Sequence, residues 1–377
     1  MIDAMKLYEF QGKELFREAG IPVPHGRLIT KEEELRLVEF PAVLKAQVLV
    51  GGRGKAGGIK ICKTPEEGRG AFKSLLGASI KGEKICALLA EETADIKREF
   101  YLSITIPSGS KSFLLMGSAT GGVEIEQVAQ SAPEALFSLL IDPIVGVMDY
   151  QIRYVAKRFA CEVEEARKVL TGLYRALREY DATLVEINPL AETPKGLLAL
   201  DAKVVLDDKA RWRRSELLER LAEQQAAIGG QAVNISTDTI TYVPLDGTVG
   251  LISDGAGTGM LTLDLISDAG AKAACFCEMG GLTSPEVMYS ALERTLNNKN
   301  VKAIIVVLIG GFNRMDEMAE GIVRYQKEKG LPVPIVVRMC GTMEEEGKRI
   351  MREANLKTYD DLYEAVREVV ALAGRNS

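Results

Sequence analysis

Lys45 and Arg53 sit in the stretch KAQVLVGGRGKAGG (residues 45–58), rich in glycine and carrying three positive charges behind a short apolar run. Bare glycine N–H groups approach an anion closely, and cationic side chains neutralise it, so the pattern suits a phosphate. A flexible hairpin turn at a solvated sheet edge has the same composition. The stretch is not a Walker loop, because G-x-x-x-x-G-K-[ST] is absent. A second set of reactive groups lies in TLVEINPLAETPKGLLALDAKVVLD (183–207). Pro194, Lys195 and Gly196 mark a turn between two strands. A hairpin centred on Pro194–Lys195 places Asn188 opposite Asp201 and Glu186 opposite Lys203. An amide oxygen beside a carboxylate is a hard-oxygen pair suited to Mg²⁺. It is also what an ordinary polar hairpin face contains, and a different turn shifts the register by one residue.

A third set lies towards the C-terminus. Three apolar runs end in glycine loops that open helical patterns: SDGAGTGM, EMGGLTSPEV and IGGFNRMDEM. Helix N-termini there offer free N–H groups and partial positive charge to an anion. DGAGTGM with Glu278 downstream approaches a dinucleotide fingerprint, the reading of an oxidoreductase subunit. Its spacing is G-x-G-x-G rather than G-x-G-x-x-G, and that reading leaves everything before residue 240 without a role. The only histidine, His25, falls in the turn PVPHG. No covalent phosphoryl carrier is evident in the chain.

These groups need elements to hold them. At 377 residues the chain supports two or three cored domains, and 47% apolar with 27% charged residues is ordinary for a globular protein. A net charge of −6 gives no general attraction to nucleic acid or an anionic membrane. No signal-peptide core or apolar run near ~20 residues is present, so a cytoplasmic protein is expected. Six cysteines are scattered, and the C-x-C at Cys275 and Cys277 lacks a second ligand pair for zinc.

In PAVLKAQVLV, alternation puts Ala42, Leu44, Ala46 and Val48 on a core face and Lys45 and Gln47 on the other. In REFYLSIT, Glu99, Tyr101 and Ser103 share one face. Strands are predicted at 86–92, 99–106, 113–119, 183–190 and 197–206, helices at 64–76, 132–140 and 148–179. The segment 231–247 reads as a polar connector. Beyond it, apolar strands alternate with helices of ~12–15 residues, the texture of a parallel sheet covered on both faces.

The motifs LYEFQGKELF, KAQVLVGGRGKAGG, AEETADIKREFYL, TGGVEIEQVA, VEINPLA and LDAKV, in this order, carry a resemblance. With the C-terminal glycine loops, the chain resembles the β-subunit family of succinyl-CoA synthetase (succinate–CoA ligase), which are ATP-grasp proteins. The resemblance implies a mixed α/β and α+β chain. An ATP-grasp domain at 1–238 is followed by a flavodoxin-like parallel-sheet CoA-ligase domain at 239–377.

It further implies that Lys45 and the segment Gly52, Arg53, Gly54 contact the phosphates of ATP or GTP. Glu91 would lie near adenine and ribose, with Glu99 also at the nucleotide. Asn188 and Asp201 would bind Mg²⁺, and Glu186 would steady a phosphohistidine. That histidine, with the CoA site, would belong to an α subunit, in an αβ or (αβ)₂ assembly that makes an acyl-CoA, NDP and phosphate. The segments IDPIVGVMD and YQIRYVAKRFACEVEEARKVL resemble the part that meets the travelling phosphohistidine. The carboxylic acid would meet residue 254 and Gly311, Phe312 and Asn313. The sequence departs from the family there: Asp254 replaces an Asn, and residues 280–283 read G-G-L-T where G-G-G-A is usual. A like charge at Asp254 disfavours a carboxylate, so citrate or malate stands beside succinate as the expected acid. Ala94 replaces a Thr found in some relatives.

Overall fold

The computed structural model describes residues 5–123, 125, 128, 130, 132–230, 240–281 and 284–375. Its contacts divide the chain into two compact units, one within 4–235 and one within 236–377.

The first unit holds two larger sheets. Strand β1 (Met5–Lys6) leads into α1 (Glu9–Glu18), which ends before Gly20 at φ +82°. That left-handed backbone is where glycine carries no steric penalty. Strands β2 (Gly26–Ile29), β3 (Ala42–Ala46) and β4 (Ile59–Cys62) follow. Next come α2 (Pro65–Leu75), a short hairpin of β5 (Ser79–Ile80) and β6 (Glu83–Lys84), and β7 (Leu88–Glu92). The small sheet has the order β2-β7-β3-β4. Leu44, Ala46 and Val48 pack with Phe72 and Leu75 of α2 in one core. Lys45 and Gln47 point to the opposite face, as period-two alternation requires.

The larger sheet contains β8 (Arg98–Thr105), β9 (Phe113–Ser118), β10 (Leu136–Ile141), β11 (Ala182–Thr193), β12 (Gly196–Ala199) and β13 (Lys203–Leu206). Its order is β1-β13-β11-β8-β9-β10, with β12 paired to β11. Helices α3 (Asp149–Phe159) and α4 (Val163–Glu179) cover one face, and α5 (Ser215–Ala227) follows β13. Phe100, Leu102, Ile104, Val185 and Ile187 join Phe159, Leu170 and Leu173 in the main core. The other face therefore carries Glu99, Tyr101, Ser103 and Glu186.

Three expectations are corrected. Residues 132–140 were expected to be helical, but 136–141 form β10, antiparallel to β9 with Leu136 opposite Ser118. A short apolar run fits helix or strand, and here the open edge of β9 decides. The span 148–179 is two helices, broken where Ala160 adopts φ +49°. Part of the expected connector forms β14 (Thr241–Pro244), antiparallel to the strand at Ala273–Glu278. Residues 231–239 lie outside the described residues.

The second unit is an α/β sheet. Strands β15 (Val249–Ser253), β16 (Ala273–Glu278), β17 (Ala303–Gly310), β18 (Ile335–Gly341) and β19 (Thr358–Tyr359) run parallel. They alternate with α6 (Ala256–Asp268), α7 (Pro285–Leu296), α8 (Met315–Lys329), α9 (Glu344–Glu353) and α10 (Leu362–Arg375). The order β14-β16-β15-β17-β18-β19 is the flavodoxin-like arrangement with one antiparallel edge strand. In β17, Ile304, Val306 and Leu308 enter the core under α7 and α8, while Ala303, Ile305 and Val307 enter the core under α10. Burial on both faces is why this strand is continuously apolar.

Candidate functional site

Lys45 leaves the polar face of β3 and meets carboxylates. Its Nζ lies 2.7 Å from Glu91 on β7 and 3.2 Å from Glu9 on α1, and donates to the Leu200 carbonyl at 2.5 Å. Arg53, in the glycine loop, reaches Glu9 with Nη1 at 2.7 Å and Asp201 with Nη2 at 2.6 Å. Lys13 completes the cluster, 2.9 Å from Glu9 and 2.5 Å from Glu91, with the Leu200 carbonyl accepting at 2.8 Å. Glu9, Lys13, Lys45, Arg53 and Glu91 each expose less than a tenth of their surface. Buried charges persist only when paired, and three carboxylates here balance three cations.

The balance sets the protonation. Burial alone would raise the Glu9 pKa, but Arg53, Lys13 and Lys45 pull it well below the usual carboxylate range. Burial opposes the charged form of Lys45 and Arg53 too. At Lys45 the carboxylates of Glu9, Glu91 and Asp201 outweigh it, and at Arg53 those of Asp201 and Glu9 do, so both are held more firmly charged than in water. At Lys13 burial wins, and its pKa falls below the ordinary lysine value despite Glu9 and Glu91.

The hairpin register agrees with the spacing argument at most positions: Thr193 faces Gly196, Leu190 faces Ala199, and Glu186 faces Lys203. The ladder is interrupted between these pairs, so Asn188 and Asp201 are not partners within it. The reason is a bulge. Opposite β8, Ile187 pairs with Leu102 but Leu190 pairs with Phe100, leaving two residues where one would fit. The bulge re-aims Asn188, whose Oδ1 accepts the Gly122 N–H at 2.8 Å and whose Nδ2 donates to the Val123 carbonyl at 2.9 Å. Gly122 also lies over Glu99: a Cβ there would come within 2.6 Å of the Glu99 carboxylate. Of the motif TGGVEIEQVA, residues 124, 126, 127 and 129 lie outside the described residues.

Glu186 forms a neighbouring group. The Tyr101 hydroxyl donates to it at 3.4 Å and to Ser103 Oγ at 2.9 Å, and Lys203 Nζ lies at 3.6 Å. The structure thus brings together Lys45, Arg53, Glu91 and Asp201, a second set of Asn188, Gly122 and Glu99, and a third around Glu186. Gly52 (φ +80°) and Gly54 shape the loop that carries Arg53. Glu91, expected beside adenine and ribose, has its carboxylate on Lys13 and Lys45. Sequence reasoning missed Glu9 and Lys13. A Glu–Lys pair at i,i+4 reads as a solvated helix face, and only its meeting with Lys45, Arg53 and Glu91 buries it.

In the second unit, the loops after β15 and β17 lie at one sheet end. Asp254 is buried, and its Oδ2 accepts the Ile309 N–H at 2.7 Å. Burial raises its pKa, partly offset by that N–H and by Asn313. Asn313 is buried, with its Oδ1 unpartnered among the described residues, while Phe312 is 92% exposed. Gly311 accepts a hydrogen bond from the Thr342 hydroxyl at 2.9 Å. Glu278, the acid of the dinucleotide fingerprint, accepts the N–H of Gly280 in its own loop at 2.8 Å. Leu282 and Thr283 of the G-G-L-T segment lie outside the described residues.

Two family models match the chain: an ATP-grasp domain over residues 6–192 and a CoA-ligase over 252–372. The GDP-forming succinate–CoA ligase subunit beta of Thermus thermophilus is 40% identical, over 98% of this chain and 99% of its own length. The ADP-forming subunit beta of Aquifex aeolicus is 38% identical, over 99% of this chain and all of its own. Among solved structures, ATP citrate lyase from Methanothrix soehngenii, in complex with citrate and coenzyme A, superposes with a TM-score of 0.69. That match covers 99% of this chain and 100% of that one at 20% identity, a likeness of fold.

Proposed function

The chain belongs to the succinate–CoA ligase β-subunit family, and on that premise we propose that it is the nucleotide-binding subunit of an NDP-forming acid–CoA ligase. It acts with an α subunit that carries the phosphohistidine and the CoA site. The observation that carries this reading is the convergence of Lys45, Arg53, Asp201 and Glu91 from two sheets and a glycine loop onto one buried cluster. Phosphoryl transfer needs positioning and charge neutralisation more than covalent chemistry from the protein. Lys45 and Arg53 supply fixed positive charge to the phosphates of ATP or GTP, with Gly52 and Gly54 letting backbone N–H groups close in. Asp201 and Asn188 offer the hard oxygens Mg²⁺ takes; the ion would draw charge off the β- and γ-phosphates. Glu186, which accepts from Tyr101, would steady the imidazolium of a visiting phosphohistidine.

In the second unit, the loops bearing Asp254 and Gly311–Asn313 would receive the acid. Succinate is the reading the relatives support. A second reading, another acid such as citrate or malate, is favoured by Asp254, whose carboxyl occupies the position of an amide. We place the domain boundary at 238/239 and the protein in the cytoplasm. Among the described residues no helix is long and apolar enough to cross a membrane.

The test is phosphoryl transfer in the co-purified complex. With γ-labelled ATP or GTP and Mg²⁺, an acid-labile, base-stable label should appear on the second chain. CoA plus the correct acid from a panel should discharge it. Nucleotide binding without labelling of either chain would sink the relay.

A further inference from the structure

Glu9 has no assigned role, yet its carboxylate sits at the centre of the cluster. It is bonded at once to Lys13 (2.9 Å), Lys45 (3.2 Å) and Arg53 (2.7 Å), and the Gln47 amide donates to it at 3.4 Å. Its side chain is only 1% exposed. The cations that face phosphate on the proposed reading are thus already neutralised by the chain itself: Lys45 by Glu9 and Glu91, Arg53 by Glu9 and Asp201. We propose that Glu9 is a positioning residue that acts as an internal counter-anion, competing with nucleotide phosphate for Lys45 and Arg53 and thereby setting the affinity of the site. The inference rests on the nucleotide reading and deepens it.

Two features of the geometry support competition over mere structural pairing. First, Glu9 contacts both cations of the loop–strand motif from a third element, so its anionic oxygens occupy the space between them as a phosphate's would. Second, the Arg53–Asp201 pair ties up the same carboxylate proposed for Mg²⁺. Were Mg²⁺ held by Asp201, one side of Arg53 would be free for phosphate while Glu9 kept hold of the other. A cluster with three cations against three carboxylates has no net pull on a polyanion. Removing the Glu9 charge leaves one positive charge in excess, in a setting where charges act more strongly than in water. Glu9 also keeps Lys45 and Arg53 extended toward one point, so the positioning persists in a Glu9→Gln chain through the amide oxygen.

The experiment uses the full chain with any co-purifying partner. Inorganic tripolyphosphate in EDTA, a probe with neither base nor metal, is titrated calorimetrically against the wild type and Glu9→Gln. We expect Glu9→Gln to bind it roughly tenfold tighter or more. ADP should dissociate more slowly from the variant. The charge-balanced double substitution Glu9→Gln with Lys13→Met, leaving two cations against two carboxylates, supplies the measurement if the single variant does not fold. It should bind tripolyphosphate more tightly than wild type but less tightly than Glu9→Gln does, because Arg53 Nη1 is freed from Glu9 while the net charge stays balanced. Equal or weaker binding in both variants, with only a lowered melting temperature, would overturn the proposal and leave Glu9 a structural ion-pair partner. Mg-ATP titrated into wild type judges the nucleotide reading separately. Failure there with the tripolyphosphate ratio intact would discard the nucleotide and keep the internal anion.

Discussion

Replacing Lys45 by Met removes one cation of the cluster and separates its structural from its chemical part. Lys45 Nζ contacts Glu91 at 2.7 Å, Glu9 at 3.2 Å and the Leu200 carbonyl at 2.5 Å. Breaking a buried ion pair so that a charge is stranded costs about 3–5 kcal/mol. Neither carboxylate is stranded here. Glu9 keeps Lys13 at 2.9 Å and Arg53 at 2.7 Å, and Glu91 keeps Lys13 at 2.5 Å. Met refills the volume of the lysine stem. The cost should therefore fall below the range for a stranded charge, at about 1–2 kcal/mol, and the melting temperature should drop by only a few degrees. The chemical loss should be larger. One fixed charge removed from a transferring phosphoryl group costs about 10²–10³ in rate. Single-turnover labelling of the partner's histidine by γ-labelled nucleotide measures it directly. The neighbouring carboxylates hold the folded-state pKa of Lys45 above its unfolded value of about 10.4. Its stabilisation is therefore fully present below that unfolded value and lost as pH rises from there through the folded one, so no loss of rate below about pH 10 should trace to Lys45. A folded Lys45→Met protein that labels its partner within about threefold of wild type would refute the assignment of Lys45 to phosphate.

Other outcomes follow from the same geometry. Asn188→Ala and Asp201→Asn should each raise the Mg²⁺ concentration needed for half-maximal labelling by about tenfold or more; unchanged metal dependence in both would refute the metal pair. Gly121→Ala should weaken nucleotide use indirectly, because its Cβ would lie 2.4 Å from the Phe100 carbonyl and push away the 121–123 loop that grips Asn188; a variant with normal metal dependence contradicts this coupling. Asp254 has a folded pKa raised by burial, so its carboxylate costs stability progressively as pH rises from the unfolded value of about 3.9 through the folded one. Asp254→Asn should gain on wild type in melting temperature between about pH 4 and pH 7, and a gap that stays flat across this range would show that burial does not strain the charge. Gly117→Ala, whose Cβ would lie 2.3 Å from the Phe137 ring, should cost about 1–3 kcal/mol through overpacking, read by thermal melting with nucleotide binding retained.

Local rules carried by the chain determined much of this protein. Period-two alternation in AVLKAQV separated Lys45 and Gln47 from the core, and the Pro194–Lys195 turn fixed the register that sets Glu186 against Lys203. Apolar strands alternating with helices set the parallel sheet of the second unit, since only a strand buried on both faces is apolar throughout. Tertiary packing decided the rest. The edge left by β9 drew 136–141 into a strand, against a helical reading of the same apolar spacing. The bulge in β11 took Asn188 out of the ladder, a one-residue irregularity that depends on how β8 pairs across the sheet. The Glu9–Lys13 pair looks like a solvated helix face in sequence. It becomes the centre of the site because α1 packs where Lys45, Glu91 and Arg53 converge, and burial, which no spacing records, turns weak surface charges into strongly coupled ones.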